Sequence, residues 1–204
     1  MITIIDYGIG NIQAFVNVYK RLHIPVQVAR VNSDLKNVEK LVLPGVGSFD
    51  HAMLRFTESE MREAVEFLVK DKGIPVLGIC VGMQMLADRS DEGKLPGLGW
   101  IPGHVRSFRS VTGLQNIAMP HMGWNDVVSV GNNPLFNGLE QGARFYFLHS
   151  FYFESLYLEH AAAGTFYGHD FNSAVSRDNI FGVQFHPEKS HHFGVKLLKN
   201  FAEL

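Results

Sequence analysis

Four short apolar runs in the first eighty residues constrain this chain more than any other feature. Ile2–Ile5, Val26–Ala29, 41–43 and 76–79 are too short for buried helices and rich in β-branched residues, so they read as strands. The third is expected to end at Pro44-Gly45. Between the runs, 11–22 places Ile12, Phe15, Val16, Tyr19 and Leu22 at spacings of three and four, the apolar face of a helix. Segments 50–56 and 60–70 read as further helices, the second with Ala64, Phe67 and Leu68 turned inward. Strands alternating with helices predict a parallel sheet. Beyond residue 100 the pattern changes: 105–108, 145–148, 151–153, 162–166, 173–176 and 180–185 look like strands joined by turns such as Asp178-Asn179. A last helix from about His191 to Phe201 carries Phe193, Val195, Leu197, Leu198 and Phe201 as its apolar residues. The fold class expected is α/β, a mostly parallel central sheet flanked by helices, with antiparallel strands added in the C-terminal half. No repeat is visible, and the nearest thing to a linker is the polar, glycine-containing stretch 91–99. A single domain over 1–204 is expected.

Composition excludes several classes. With 46% hydrophobic and 19% charged residues the chain reads as globular rather than disordered. A net charge of −2 without a basic stripe argues against nucleic acid as a partner. The start Met1-Ile2-Thr3-Ile4-Ile5-Asp6 has no basic region and meets an acid too early for a signal peptide. No apolar run is long enough to span a membrane. One thiol cannot form an internal disulfide, which fits a reducing, cytoplasmic setting.

That thiol is Cys80, in Gly78-Ile79-Cys80-Val81-Gly82, between a strand-like run and the helix-compatible Met83-Gln84-Met85-Leu86-Ala87. Small residues two before and two after a nucleophile permit the tight strand-to-helix turn of G-x-S-x-G hydrolases, here with sulfur for oxygen. A helix starting there would aim its dipole and free N–H groups at the sulfur, favouring thiolate and leaving donors for an oxyanion. The competing reading is a buried cysteine acting as a small hydrophobe.

A second signal lies further on, in Gly182-Val183-Gln184-Phe185-His186-Pro187-Glu188. Residues two apart on an extended chain point the same way, so His186 and Glu188 face one side, and Pro187 stops ladder pairing between them. A thiol nucleophile needs a base, and the base an orienting carboxylate; Cys80, His186 and Glu188 supply these roles. Alone, the histidine and glutamate could simply cap a strand end. The third signal is Leu43-Pro44-Gly45-Val46-Gly47, whose glycines let a backbone N–H turn toward a ligand. One such oxyanion donor is worth about 10²–10³ in rate. Three further features carry less. Gly8-Ile9-Gly10-Asn11 is too incomplete for a phosphate loop. His191 and His192 diverge and have no completing ligands, so no metal is expected. His121 reads as a turn residue or a surface one.

Taken in order, PGVG, GICVGMQ, PHMGWN (120–125), RFYFLHSF (144–151) and GVQFHPEKS (182–190) closely resemble the class I glutamine amidotransferases across nearly the whole chain. More narrowly, they resemble the glutaminase subunits of imidazole glycerol phosphate synthase. The resemblance implies a flavodoxin-like fold and no cofactor. It implies that Cys80 attacks the glutamine carboxamide to form a thioester, with His186 as base and then acid and Glu188 orienting it. The N–H groups of Val81 and, after a loop change, Val46 would bind the oxyanion. Gly45, Gly47 and Gln84 match positions lining the glutamine site, and His149, Ser150 and Phe151 match the segment holding the glutamine main-chain groups. Phe151 replaces the family's usual tyrosine. The partner implied is a (β/α)8-barrel synthase/cyclase subunit receiving ammonia, faced by Asn11, Met122, Trp124 and Asn125 in the segments DYGIGN and MGWN. Bottom-up, Trp124 reads rather as a core aromatic.

Three alternatives stay open on the sequence. A paralogous subunit could deliver ammonia to an acetamidino sugar in surface-polysaccharide synthesis. A cysteine peptidase could use the same three side chains. A non-catalytic binding subunit could carry a degenerate site.

Overall fold

The computed structural model describes residues 1–113, 116–139 and 141–204. The N-terminal half runs β1 (Ile2–Ile5), α1 (Ile12–Arg21), β2 (Val26–Ala29), β3 (Lys40–Gly45), α2 (Phe49–Glu58), α3 (Arg62–Lys70), β4 (Val76–Cys80) and α4 (Val81–Gln84). The rest runs β5 (Arg89–Ser90), β6 (Gly103–Ser107), β7 (His121–Asp126), β8 (Val128–Ser129), β9 (Arg144–His149), β10 (Phe151–Ser155), β11 (Ala161–Tyr167), β12 (His169–Arg177), β13 (Ile180–Val183) and α5 (His191–Glu203).

Strands β2-β1-β3-β4-β13 are parallel and form one side of the main sheet; β12, β10, β6 and β5 continue it, with β11 and β8 branching from β12. The pairings of β12 with β13, β10 with β12 and β6 with β10 are antiparallel. Strand β4 lies inside the parallel part, between β3 and β13, and is buried along its whole length, which is why Val-Leu-Gly-Ile-Cys shows no polar alternation. Antiparallel strands are thus added to a parallel sheet, as expected.

Several details differ from the sequence reading. Strand β3 does not stop at Leu43 but runs through Pro44 and Gly45. Its ladder with β1 ends at Val42, so Pro44 owes no N–H to that side. On α3 Val65 and Val69 are the fully buried residues and Ala64 and Leu68 pack partly buried against the core as expected, while Phe67 is exposed and lies under the Lys72 ammonium. The helix after Cys80 is a single turn, and the chain then bends through Met85–Ala87, whose side chains are buried. The segment His121–Asp126 forms a strand that the sequence reading missed, and it pairs with β9 in a separate two-stranded sheet. Segment 145–148 therefore does not join the main sheet. Strand β13 ends at Val183, before Phe185.

Aromatic side chains fill the space between the two sheets. Phe145 stacks on Phe185 with centroids 4.0 Å apart, and Phe147 meets Phe171 and Phe185 edge-on. Burying such rings contributes most of the packing free energy here, with a further ~0.5–1.5 kcal/mol per well-oriented pair. Among the described residues no helix is long and apolar enough to cross a membrane.

Candidate active site

Cys80 ends β4 and caps α4 with φ 55° and ψ −113°, a conformation that side chains other than glycine rarely hold. Such strain costs of the order of 1–3 kcal/mol and persists only where the surroundings over-determine it. The surroundings are three glycines. A Cβ on Gly78 would lie 2.6 Å from the Gly82 carbonyl oxygen, one on Gly82 would drive into the Leu43 carbonyl, and one on Gly45 into the Gly82 amide. The ends of β3 and β4 and the first turn of α4 therefore touch backbone to backbone around the sulfur. Because α4 is one turn long, the macrodipole expected from a full helix reduces to its first free N–H groups.

His186 and Glu188 meet through a 3-10 turn over Pro187–Lys189, not along an extended strand. The His186 Nδ1–H donates to Glu188 Oε1 at 2.9 Å, and both side chains are almost wholly buried. The main chain of His186 is pinned as well: its N–H donates to the Tyr146 carbonyl at 2.8 Å, and Ser190 Oγ donates to its carbonyl at 2.6 Å. Burial by itself would push the imidazole down. Hydrogen bonds and charges from Cys80 and Glu188 outweigh it and lift His186 to about 10. A histidine so placed is set to hold the proton it takes from sulfur.

A cavity of about 320 Å³ opens over these residues, lined among others by Val46, Gly47, Cys80, Val81, Gln84, His149, Ser150, Phe151 and His186. Of the residues expected at the substrate, only Gly45 is absent from the lining; it supports the elbow from below. Val46 is exposed at the rim, and Gly47 holds φ +86°. Under this loop the buried Tyr7 hydroxyl donates to the Pro44 carbonyl, so part of DYGIGN supports the pocket from the core. Gln84 is buried and spends both amide hydrogens internally, on the Phe151 carbonyl at 3.2 Å and Gln184 Oε1 at 3.0 Å. Gln184 Nε2 in turn donates to Cys80 Sγ at 3.7 Å. The His149 ring has no free nitrogen for a ligand, since both are bonded within the protein.

Sequence reasoning missed three members of this site. Gln184 stands two before His186, and the alternation that paired His186 with Glu188 would have found it one step earlier. Glu92 lines the pocket while its Oε2 accepts from the Phe49 amide at the start of α2. It lies in the stretch that resembled a linker, where nothing local marks it. Lys189 also lines the pocket, its ammonium 5.7 Å from the centre of the Tyr146 ring.

On the outer face Met122, Trp124 and Leu148 are exposed side by side, Met122 pairing with Leu148 across β7 and β9. Trp124 is thus no core residue; its ring stacks on His191 with centroids 5.1 Å apart. Asn125 alternates to the other side of the strand and bonds inward. Asn11 is exposed and caps α1, accepting from the Ala14 amide at 3.3 Å. His121 is neither a turn nor a surface residue: it is buried at the start of β7. Among the described residues no group of three or more histidine, cysteine and acidic side chains is placed to hold a metal ion.

Comparison with known proteins gives the family and the fold. The model of the family "Glutamine amidotransferase class-I" matches residues 3–204. The chain is 63% identical over its whole length to a full-length protein of Bdellovibrio bacteriovorus named imidazole glycerol phosphate synthase subunit HisH. It is 50% identical, again over all of both chains, to the Leptospira interrogans protein of the same name. A crystal structure described as a glutamine amidotransferase superimposes with TM-score 0.76 at 18% identity, covering 100% of this chain and 99% of that one, which shows the shared fold. The chain belongs to the class I glutamine amidotransferases.

Proposed function

We propose that the protein is the glutaminase subunit of an imidazole glycerol phosphate synthase in histidine biosynthesis. The observation that carries the chemistry is His186, bonded to Glu188 and raised by Cys80 at the floor of one cavity. The full-length relatives at 63% and 50% identity carry the pathway.

In this reading His186 has taken the proton of Cys80 before Cys80 Sγ attacks the carboxamide carbon of glutamine. The oxyanion that forms lies against the N–H of Val81 and, once the PGVG loop turns, that of Val46. Collapse expels ammonia with the proton from His186 and leaves a γ-glutamyl thioester. Water, deprotonated by His186, then releases glutamate and restores the thiol. Glu188 keeps the imidazole in the tautomer that presents Nε2 to sulfur. Glu92 at the pocket wall faces the place for the substrate ammonium, and the 149–151 main chain the place for its carboxylate. Ammonia passes to a (β/α)8-barrel synthase/cyclase subunit, docked over Met122 and Trp124 with Asn11 nearby, and shielding it from water prevents its protonation. The enzyme works in the cytoplasm as a heterodimer.

The test is glutamate release from glutamine by this chain alone, then with the histidine-pathway cyclase subunit and its ribonucleotide substrate. Strong stimulation is expected, and Cys80→Ala should abolish release while the two subunits still bind. Hydrolysis surviving in Cys80→Ala would refute the thioester route. A lack of stimulation, with Cys80 still labelled by a glutamine analogue, would move the acceptor to the acetamidino sugar.

A further inference from the structure

His121 opens β7 with its ring turned inward, 3% exposed. It is sandwiched between Phe147 and Tyr167, centroids 4.7 and 3.9 Å away and nearly parallel, with Phe171 edge-on. Each ring nitrogen has one polar partner. Nε2 faces Asn125 Nδ2 at 3.2 Å, and Nδ1 faces His149 Nε2 at 2.9 Å. The orientation of the Asn125 amide is fixed, because its Oδ1 accepts from the Asp126 amide and its Nδ2 also donates to the Phe166 carbonyl. Its nitrogen must therefore donate to His121 Nε2, which leaves the His121 proton on Nδ1. That proton goes to His149 Nε2, so His149 carries its own proton on Nδ1 and donates to the Phe151 carbonyl at 2.8 Å. A single tautomer assignment satisfies every group, and a proton added to either ring would set two N–H groups against each other.

The Phe151 carbonyl is where this chain meets a second one. It also accepts from Gln84 Nε2, whose other hydrogen goes to Gln184, and Gln184 donates to the Cys80 sulfur. Two donors, arriving from β9 and α4, fix one carbonyl on the wall of the cavity that Gln84, His149, Ser150 and Phe151 line. A carbonyl held by two donors cannot rotate without leaving them unpaired, and for donors on the buried Gln84 and His149 that loss is larger than the gain from making either bond.

We propose that His121 is a positioning residue for the glutamine pocket: locked by Asn125, it fixes the ring of His149, and His149 fixes the Phe151 carbonyl that orients Gln84. This rests on the glutaminase reading above, and it gives the inner residues of PHMGWN a task separate from that of the exposed Met122 and Trp124. The sandwich of rings alone would need only an aromatic at position 121; the relay needs a donor at Nδ1 and an acceptor at Nε2.

His121→Phe separates the two. It keeps the stack and removes both hydrogen bonds. The rate of Cys80 labelling by a diazoketone analogue of glutamine should fall about tenfold, equivalent to about 1.4 kcal/mol. Alkylation by iodoacetamide, which needs the sulfur but not the pocket, should change less than about twofold, well under that same 1.4 kcal/mol. Equal loss with both reagents, or loss with neither, overturns the proposal. Asn125→Ala leaves the His121 ring in place but frees its tautomer, and should raise KM for glutamine with little change in kcat; a fall in kcat alone overturns it. In the unmodified protein, ¹⁵N spectra should show both imidazoles protonated at Nδ1, and a proton on Nε2 of either overturns the relay. If the diazoketone fails to label even the unmodified protein, the glutaminase reading falls and this task for His121 with it, while the spectra still decide whether the relay exists.

Discussion

His186 and the His121–His149 pair are buried to nearly the same degree, at 4%, 3% and 6% exposure; His186 and His149 line one cavity, and His121 stands behind His149. Their protonation goes opposite ways. His186 is lifted to about 10, whereas burial pushes His121 down to about 4 and His149 to about 3. Desolvation acts against the imidazolium in all three, so the neighbours decide. His186 faces a carboxylate and a sulfur that becomes anionic. His121 faces an amide N–H and another ring, and His149 is further disfavoured as a cation by His121 and His186 themselves, against the pull of the Phe151 carbonyl. One environment yields a group that holds a proton through a reaction, the other a group that keeps a fixed tautomer. Burial marks neither role; the identity of the hydrogen-bond partner does.

Removing the carboxylate is the strongest way to break this contrast. Glu188→Gln keeps the volume but removes the charge, and where its amide nitrogen faces His186 Nδ1 it reverses the tautomer or leaves the bond unmade. By analogy with orienting carboxylates in other triads, kcat for glutamine hydrolysis should fall by about 10³–10⁴. Steady-state rates with the partner subunit bound would measure it. A fall of less than tenfold would mean that His186 is oriented by its main-chain bonds to Tyr146 and Ser190 and not by Glu188.

The contrast should also show as two limbs in the pH dependence of stability. His121 and His149 have native values below the unfolded value of about 6.5. Their contribution is complete above that pH and is lost as the pH falls toward 4 and then 3, since only the unfolded chain takes up these protons. His186 has a raised native value, so its contribution is complete below about 6.5 and is lost as the pH climbs to 10. Denaturant titrations across pH 4–10 should give maximal stability near the middle of this range. His121→Phe should reduce the acid slope by about 1.4 kcal/mol per pH unit, the value for one proton, while leaving the alkaline limb intact. Glu188→Gln should flatten the alkaline limb instead. If either substitution flattened both limbs, the two histidine systems would be one coupled unit.

The two systems were also unequally legible in the sequence. The triad announces itself because its chemistry needs rare local patterns: the paired glycines around Cys80, and a proline between His186 and Glu188. Strands β1 and β2 were readable from end to end because both are short and rich in β-branched residues, with Pro25 setting the start of β2. The relay was not readable. Its members lie on β7, β9, β10 and α4, and β7 itself was hidden because Gly123 interrupts its pattern and Pro120 precedes it. Its alternation is real, with Met122 and Trp124 outward and His121 and Asn125 inward, but the outward residues are the large apolar ones. A strand that shows hydrophobic side chains to solvent and hides polar ones inverts the rule by which strands are oriented from sequence. The shortness of α4 was equally invisible, because Met85, Leu86 and Ala87 suit a helix and are turned aside only by tertiary packing.

The smallest effect expected tests which part of Phe151 matters. Where the family usually carries tyrosine, this chain has a half-buried ring packed against the core, and the atom bonded to both His149 and Gln84 is the main-chain oxygen. That oxygen is present whatever the side chain. Phe151→Tyr should therefore change KM for glutamine by no more than about twofold, the range of a substitution that neither makes nor breaks a buried interaction. Phe151→Gly is the sharper companion, since it frees the main chain and should raise KM even though the carbonyl remains. If the tyrosine variant instead shifted KM tenfold, the ring edge would be reading the substrate directly. The relay from His121 would then be supporting a side chain and not a carbonyl.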